Sequence, residues 1–237
     1  MVGITTPTGQ RNFDIKPYTL GSIISNRAVT PPINNNGNAE FGADAKWAIS
    51  QSLVADLTYN TDFAQVEADE QQVNLTRFSL FFPEKRDFFL ENQGLFTFGS
   101  NTFGGAQASS TSDIPLLFYS RRIGLANGRE VPIWGGGRVT GRTGRYSVGV
   151  VEMQTKQDAA ARVPTTNFAV VRVKRDILRR SSIGALVTNR SDALLAPGSN
   201  QAYGVDGTFA FFRDLSFATY LARTVSPGVS SGDLSYR

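Results

Sequence analysis

The sequence predicts an all-β fold, an antiparallel up-and-down β-barrel of the outer-membrane type or part of such a barrel. Apolar and polar residues alternate with a period of two along most of the 237 residues. Turn sequences separate the alternating runs, and some connections are tight whereas others are long. We therefore expect a single barrel domain over residues 1–237, with residues 62–98 inserted as a plug-like segment.

Composition excludes several classes of site. The chain has no Cys and no His, which removes thiolate chemistry, the Ser-His-Asp triad and the commonest metal ligand. The net charge of +4 comes from scattered Lys and Arg, without the basic block that follows a phosphate backbone. The run Gly135 to Gly137 lacks the strand-to-helix context of a phosphate loop. We expect no metal, no cofactor, no nucleic acid and no nucleotide.

The usual helical membrane signals are also missing from this sequence. The N-terminal residues do not contain a charged region followed by an apolar one, so no signal peptide is predicted from them. No apolar run approaches the roughly 18 residues that a membrane-spanning helix needs. The strands of a membrane barrel alternate apolar and polar residues and never form such a run, so the sequence is still compatible with a membrane barrel.

The first half of the chain contains the clearest hairpin. Arg11 to Ser25 alternates around Pro17, which indicates an edge strand or a bulge, and Thr30 to Asn38 has the composition of a turn. Ala39 to Ile49 and Leu53 to Asn60 then predict two strands, each with one apolar and one polar face. On the first of these the apolar face comprises Phe41, Ala43, Ala45, Trp47 and Ile49, opposite Glu40, Gly42, Asp44 and Lys46.

The second half repeats this pattern after a low-complexity loop at Gly99 to Asp113. The strands predicted there are Pro115 to Gly124, Ile133 to Arg142, Tyr146 to Thr155, Phe168 to Asp176, Ser181 to Asn189, Ala202 to Phe212 and Leu215 to Val225. Their polar faces are rich in Gly, Ala, Ser and Thr, as a lumen wall is, and aromatic residues near strand ends suit interfacial girdles. A soluble β-sandwich gives a similar period and remains an alternative.

Residues 62–98 combine acids, bases and many phenylalanines. Such charges must be paired or turned toward water, because an unpaired buried charge is costly. We interpret the segment as folded inside a wide barrel, where charged residues bind a ligand or form ion pairs against the wall. The residues assigned to this role are Asp62, Glu67, Asp69, Asn74, Arg77, Glu84, Lys85, Arg86, Glu91, Arg121 and Arg122.

The same carboxylates also allow an enzyme. Glycoside hydrolases use two carboxylates as acid and as nucleophile or base. The weak catalytic candidates are Glu67, Asp69, Glu84 and Glu91. Equal numbers of nearby bases would hold these acids ionised and poorly suited to donate protons, so we expect ion pairing rather than catalysis.

The charged residues also allow two kinds of ligand site, one for a cation and one for an anion. Asp62, Glu67, Asp69 and Glu70 offer oxygen ligands for Ca²⁺, but their spacing is not that of an EF-hand. The neighbouring bases Arg121 and Arg122 suit a clamp on an anionic ligand, although pairing with the inner wall is the favoured interpretation.

Three longer runs carry a family resemblance. They are NTDFAQVEADEQQVNLTRFSLFFPEKRDFFLENQGLF, LFYSRRIG and GGGRVTGRTGRYSVGVVEMQT. Together they resemble the uncharacterised domain that follows a family 9-type carbohydrate-binding module in large surface proteins of Gram-negative bacteria, over roughly residues 35 to 225. This chain departs from the fuller pattern because it shows no signal sequence, no such module and no aromatic C-terminal residue. We therefore expect a fragment of a larger barrel.

The resemblance and the strand pattern together predict an outer-membrane protein. It would act as a channel, a transporter or a membrane platform, and would handle carbohydrate with an attached carbohydrate-binding module. Its expected partners are the lipid bilayer and glycans, and its expected location is the cell outer membrane, with a signal peptide on the full-length protein. The alternatives are a carboxylate-dependent glycoside hydrolase and a soluble β-sandwich binding domain.

Overall fold

The computed structural model describes residues 13–26, 33–61, 84–99, 114–126, 129–158, 163–191, 198–212, 215–229 and 232–237. Its strands are β1 (Phe13–Asn26), β2 (Ile33–Ser50), β3 (Leu53–Tyr59), β4 (Leu125–Ala126), β5 (Arg129–Glu130), β6 (Ile133–Thr143), β7 (Tyr146–Thr155), β8 (Asn167–Leu178), β9 (Ser181–Ser191), β10 (Ser199–Phe211), β11 (Leu215–Val225) and β12 (Asp233–Tyr236). One α-helix, α1 (Asp87–Leu90), and two 3-10 helices, Gln93–Phe96 and Ser120–Arg122, lie between β3 and β4.

Ten of these strands form one antiparallel sheet in the order β1-β2-β3-β6-β7-β8-β9-β10-β11-β12, and β4 pairs with β5 separately. Each strand of the large sheet lies beside its neighbour in the chain, except that residues 60–132 are inserted between β3 and β6. The all-β, antiparallel up-and-down prediction is therefore confirmed. The sheet is open, because its edge strands β1 and β12 do not pair with each other in the described part of the chain.

The connections differ in length at the two ends of the sheet. Because neighbouring strands are antiparallel, successive connections alternate between the ends. One end has the short connections 51–52, 144–145, 179–180 and 212–214. The opposite end has the longer connections 27–32, 60–132, 156–166, 192–198 and 226–232. We call them the short-turn end and the long-connection end.

Two local predictions were wrong. Ile33–Asn38, part of the predicted turn, belongs to β2, where Gly37 pairs with Ile23 and Asn36 with Ile24. Backbone pairing with β1 extends this strand without any apolar pattern. Pro115 to Gly124 is not a strand but an irregular segment ending in the 3-10 helix Ser120–Arg122. A short continuous apolar run does not distinguish a strand from a segment buried by packing alone.

The two faces of the sheet differ in chemistry, as the strand register shows. One face, which we call the apolar face, leaves large apolar side chains exposed: Phe13, Ile15, Phe41, Trp47, Leu57, Tyr59, Trp134, Val171, Val173, Ile183, Val187, Tyr203, Val205, Phe217 and Leu221. The other, which we call the polar face, buries Asp56, Thr58, Arg138, Thr140, Arg172 and Asp206. The predicted division of β2 and of β10 into two faces is confirmed by this register.

Residues 84–99 and 114–124, which we call the inner segment, pack against the polar face. Phe89, Phe96 and Ile123 of this segment form a buried cluster with Ile133, Val151, Met153 and Val170 of the sheet. Aromatic rings of the inner segment lie against glycines of the sheet. A Cβ atom at Gly149 would come within 2.8 Å of the Phe96 ring, and one at Gly204 would come within 2.5 Å of the Phe98 ring. Residues 62–83 of the predicted plug lie outside the described residues.

Candidate functional site

Three groups of ion pairs stabilise the inner segment and its contact with the polar face. The first group lies within the segment itself and centres on Arg86. Its guanidinium donates two hydrogen bonds to Glu84, from Nε to Oε1 and from Nη2 to Oε2, both at 2.7 Å. It also donates to the carbonyl oxygens of Ile123 at 2.6 Å and of Ser120 at 2.7 Å. Arg86 therefore ties residues 84–99 to residues 114–124.

Glu84 is deeply buried in this first group, with only 4% of its side chain exposed. Burial raises the pKa of the Glu84 carboxyl, but the hydrogen bonds and charge of Arg86 and the hydroxyl of Ser120 outweigh it and bring the pKa below 4.5. The Ser120 hydroxyl donates to Oε2 at 2.6 Å. Glu84 is thus an ionised structural anchor, the reverse of a proton donor, whose pKa must be raised.

The second group joins α1 to strands β2, β3 and β6. Arg138 donates from Nη2 to Asp56 Oδ2 at 2.6 Å and from Nη1 to the Glu91 carbonyl at 2.6 Å. The Glu91 carboxylate in turn accepts from Lys46 Nζ at 2.6 Å. The Arg138 guanidinium also lies 5.1 Å from the centre of the Phe88 ring, a cation–π contact. One buried guanidinium therefore fixes the C-terminal side of α1 to three strands.

The electrostatics of Glu91 match this role. The hydrogen bond from Lys46 lowers the pKa of Glu91 more than partial burial raises it, and the charges of Lys46 and Arg138 lower it further. Beside it, the side-chain amide of Asn92 donates to Thr140 Oγ1 at 3.1 Å. Both described catalytic candidates, Glu84 and Glu91, are therefore ion-paired carboxylates with lowered pKa values.

The third group lies farther along the sheet. Arg172 of β8 donates two hydrogen bonds to Asp206 of β10, from Nη1 to Oδ1 at 2.5 Å and from Nη2 to Oδ2 at 2.8 Å. The Gly99 amide, at the end of residues 84–99, donates to Asp206 Oδ2 at 3.3 Å. The Arg172 guanidinium also lies 5.9 Å from the centre of the Phe98 ring. This pair anchors the inner segment at its second end.

A cavity lies where the inner segment passes over strands β8–β10. Its volume is about 290 Å³, and its walls include Leu116, Leu117, Phe118, Ile123, Phe168 and Val170. Arg122, Arg190, Thr188 and Asn200 supply its polar lining. The Arg190 guanidinium lies 5.4 Å from the centre of the Phe168 ring. The cavity therefore combines apolar and polar surface in similar amounts and includes two cationic groups.

The structure separates the predicted site residues. Glu84, Arg86 and Glu91 lie in the ion-pair groups, Lys85 is exposed, Arg121 is buried and Arg122 lines the cavity. Asp62, Glu67, Asp69, Asn74 and Arg77 lie outside the described residues. In the described part of the chain, no group of three or more Asp or Glu side chains is placed to hold a metal ion. No described helix has the length and hydropathy to cross a bilayer.

Sequence reasoning missed five residues of these groups: Lys46, Asp56, Arg138, Arg172 and Asp206. Each is a charged residue on the polar side of a strand, and Lys46 and Arg172 share that side with other charges, such as Asp44 and Lys174. Their partners lie far away in the chain, so sequence spacing does not connect them. A charge in phase with small polar residues along a strand is the signal that finds them.

Comparison with known proteins gives one match. A family model for a domain of unknown function, DUF5916, matches residues 12–134, which is more than half of the chain. The chain belongs to this family. No curated protein and no solved structure matches it.

The DUF5916 match confirms the resemblance to an uncharacterised domain family. It covers β1–β3, the inner segment and β4–β5, and ends at the start of β6. The DUF5916 region thus contains the first two ion-pair groups apart from Arg138, which β6 supplies. Two points stay predictions. One is that the domain follows a family 9-type carbohydrate-binding module, and the other is that this chain is a fragment of a larger barrel.

Proposed function

We propose that this chain forms the wall of an outer-membrane β-barrel, with its apolar face toward lipid and its polar face toward a lumen that holds the inner segment. One observation carries the proposal: in the described sheet most exposed large apolar side chains lie on one face, whereas the ion pairs of Arg138 with Asp56 and of Arg172 with Asp206 are buried on the other. A protein that is soluble in water has the opposite arrangement. Strands of membrane barrels alternate in this way, apolar outward and polar inward.

The size of the apolar face supports the same conclusion. Exposed aromatic and aliphatic side chains run from Phe13 on β1 to Leu234 and Tyr236 on β12, across the sheet. Leaving one such side chain in water rather than burying it costs about 1.5–3 kcal/mol. Soluble monomers rarely expose contiguous apolar patches above a few hundred Å². A lipid environment removes this cost for the whole face.

The two ends of the sheet support an orientation. Outer-membrane barrels have short turns on the periplasmic side and long loops on the outer side. The short-turn end of this sheet would therefore face the periplasm, and the long-connection end would face the outside. The inserted residues 60–132 leave the sheet at the long-connection end, and their described parts return along the polar face.

The inner segment suggests how such a barrel would act. It occupies the polar face and is anchored by buried ion pairs at Arg138 and at Arg172. A solute crossing the lumen would have to pass beside this segment or displace it. We infer a channel or transporter with a narrowed lumen, or a membrane platform for an attached domain. The role in carbohydrate handling rests on the sequence resemblance alone.

Site-directed spin labelling tests the proposal. Because the chain has no Cys, a single introduced Cys gives one label. Phe41→Cys and Phe217→Cys place labels on the apolar face, and Glu40→Cys and Ala218→Cys place matched labels on exposed neighbouring residues of the opposite face. In liposomes, oxygen should relax the first two labels more than a water-soluble nickel complex does, and the reverse should hold for the second two.

Two outcomes would contradict the proposal that the sheet forms the wall of a membrane barrel. Equal access of the nickel complex to Phe41→Cys and Glu40→Cys would mean that both faces of the sheet lie in water. Protection of Phe41→Cys and Phe217→Cys from both reagents would mean that the apolar face is covered by protein, as in a soluble sandwich.

A further inference from the structure

We propose that the cavity between the inner segment and strands β8–β10 binds a small organic anion, whose oxyanion group is held by Arg122 and Arg190. The inference goes beyond the proposed membrane role, because it depends only on the local geometry of the cavity. It holds equally if the apolar face is covered by protein rather than by lipid.

The position of Arg190 is the first support. It lies near the end of β9, on the polar face, opposite Phe168 of β8 in the register and beside the 192–198 connection. Its guanidinium is half-buried, and its Nε atom is fully buried with no hydrogen-bond partner among the described residues. An N–H donor without an acceptor is unfavourable in a buried position, so this guanidinium favours a ligand that offers it an oxygen acceptor.

The charge around the cavity is the second support. Arg122 and Arg190 both line the cavity, and both guanidinium groups are protonated at neutral pH. None of the described residues that line the cavity is acidic. This contrasts with Arg86, Arg138 and Arg172, each of which has a carboxylate partner. Two like charges facing one cavity without a counter-ion are arranged to bind an anion.

The walls of the cavity define the rest of the ligand. Leu117, Phe118, Ile123 and Val170 supply the apolar part of the lining, and Thr188 and Asn200 add polar groups to it. The volume of about 290 Å³ lies at the lower limit of small-molecule sites, which span about 300–1,000 Å³. The chemistry is therefore that of a carboxylate or phosphate attached to a small apolar group.

The cavity also explains why Arg121 and Arg122 differ. Both belong to the 3-10 helix Ser120–Arg122, which turns consecutive side chains in different directions. Arg121 is buried, whereas Arg122 is exposed and lines the cavity. Of the two neighbouring bases, Arg122 is the one that reaches an anion in the cavity, and it does so together with Arg190 rather than with Arg121.

Ligand-observed saturation-transfer NMR on the purified full chain in detergent micelles tests the site. The probes are phenyl phosphate and benzoate, with benzyl alcohol as the uncharged control of similar shape. We expect at least one of the two anions to give a saturable signal that benzyl alcohol does not displace. Arg190→Gln and Arg122→Gln should each weaken binding roughly tenfold or more, because each removes a charged hydrogen-bond donor.

Arg145→Gln is the matched control, since it removes the same charge from an exposed turn at the short-turn end of the sheet. Binding that survives Arg145→Gln but not Arg122→Gln supports the site, and the exposed position of Arg122 keeps that variant informative if Arg190→Gln fails to fold. No saturable anion signal with the unmodified chain overturns the proposal. So does equal loss of binding in Arg145→Gln, or equal binding of benzyl alcohol.

Discussion

Arg172 and Asp206 form a bidentate ion pair across the strand that separates them. Arg172 lies on β8 and Asp206 on β10, so the side chains span two strand spacings, about 9.6 Å. Between them, on β9, lies Gly184, where a Cβ atom would come within 2.7 Å of Arg172 Nη1. The pair is almost fully buried, with side chains 1% and 4% exposed. The missing side chain at Gly184 gives the guanidinium its path to the carboxylate.

Gly184→Ala should therefore destabilise the protein. The new methyl group displaces the guanidinium and strains its bond to Asp206, at a cost of about 2 kcal/mol, as overpacking typically does. Urea unfolding in detergent, followed by circular dichroism, measures the change. Gly21→Ala is the control, because nothing lies within 4 Å of a Cβ atom there. An unchanged midpoint for Gly184→Ala would show that Arg172 reaches Asp206 by another path.

Removing one member of the pair should cost more than removing both. Arg172→Leu leaves the Asp206 carboxylate buried without its partner, and Asp206→Leu does the same to Arg172, at about 3–5 kcal/mol each. The double variant replaces the pair by apolar groups and should lose much less than the sum. A double-mutant cycle on unfolding free energies measures this. Additive losses would mean that the two side chains do not interact in the folded protein.

The Glu84 anchor should make stability depend on pH. Its folded-state pKa lies below the ordinary 4.5, so its contribution is present above pH 4.5 and is lost as the pH falls through the lowered value. Glu84→Gln should cost about 3 kcal/mol at pH 7, since it leaves Arg86 without a buried charge partner. The difference from the unmodified chain should shrink as the pH falls below 4.5, as unfolding midpoints at several pH values would show.

Asp87→Asn is the matched control for Glu84, because Asp87 is an exposed acid in the same segment. It should leave the midpoints nearly unchanged at pH 7. If Glu84→Gln costs the same at pH 3 as at pH 7, ionised Glu84 does not anchor the segment.

Intrinsic fluorescence should report the lipid contact of the apolar face without labelling. The two Trp residues of the chain, Trp47 and Trp134, are 44% and 56% exposed on this face. Brominated phospholipids should quench both, and acrylamide should quench them weakly. Trp47→Phe and Trp134→Phe separate the two signals. Strong acrylamide quenching with no effect of brominated lipid would place both residues in water.

Some elements could be predicted from the sequence because their pattern is local. The bounds of β7 and β11 match the predicted Tyr146 to Thr155 and Leu215 to Val225, since turn residues flank both runs. Pro17, which indicates an edge strand or a bulge, lies in β1, an edge strand of the described sheet. The prediction of a turn at Ile33–Asn38 was wrong, because Asn and Gly also fit a strand that is held only by backbone pairing.

The candidate site could be predicted only in part. The sequence indicated that Glu84, Arg86 and Glu91 form ion pairs, because charges and phenylalanines are concentrated there. It did not indicate the wall partners Arg138 and Asp206. Asp56 and Arg138 are 82 residues apart in the chain, and only the register of β3 with β6 brings them together. Such pairs become visible once the strands are aligned.

The insertion between β3 and β6 has a consequence for the order of folding. The other pairings of the large sheet, within the described residues, join strands linked by connections far shorter than residues 60–132, which close faster and cost less chain entropy. The β3–β6 pairing, from Leu53 with Gly141 to Tyr59 with Gly135, must close a far longer loop. Two hairpin arrays, β1–β3 and β6–β12, would therefore assemble first, and their joining would be the slow step. Substitutions along that seam should change the folding rate more than equivalent substitutions within either array.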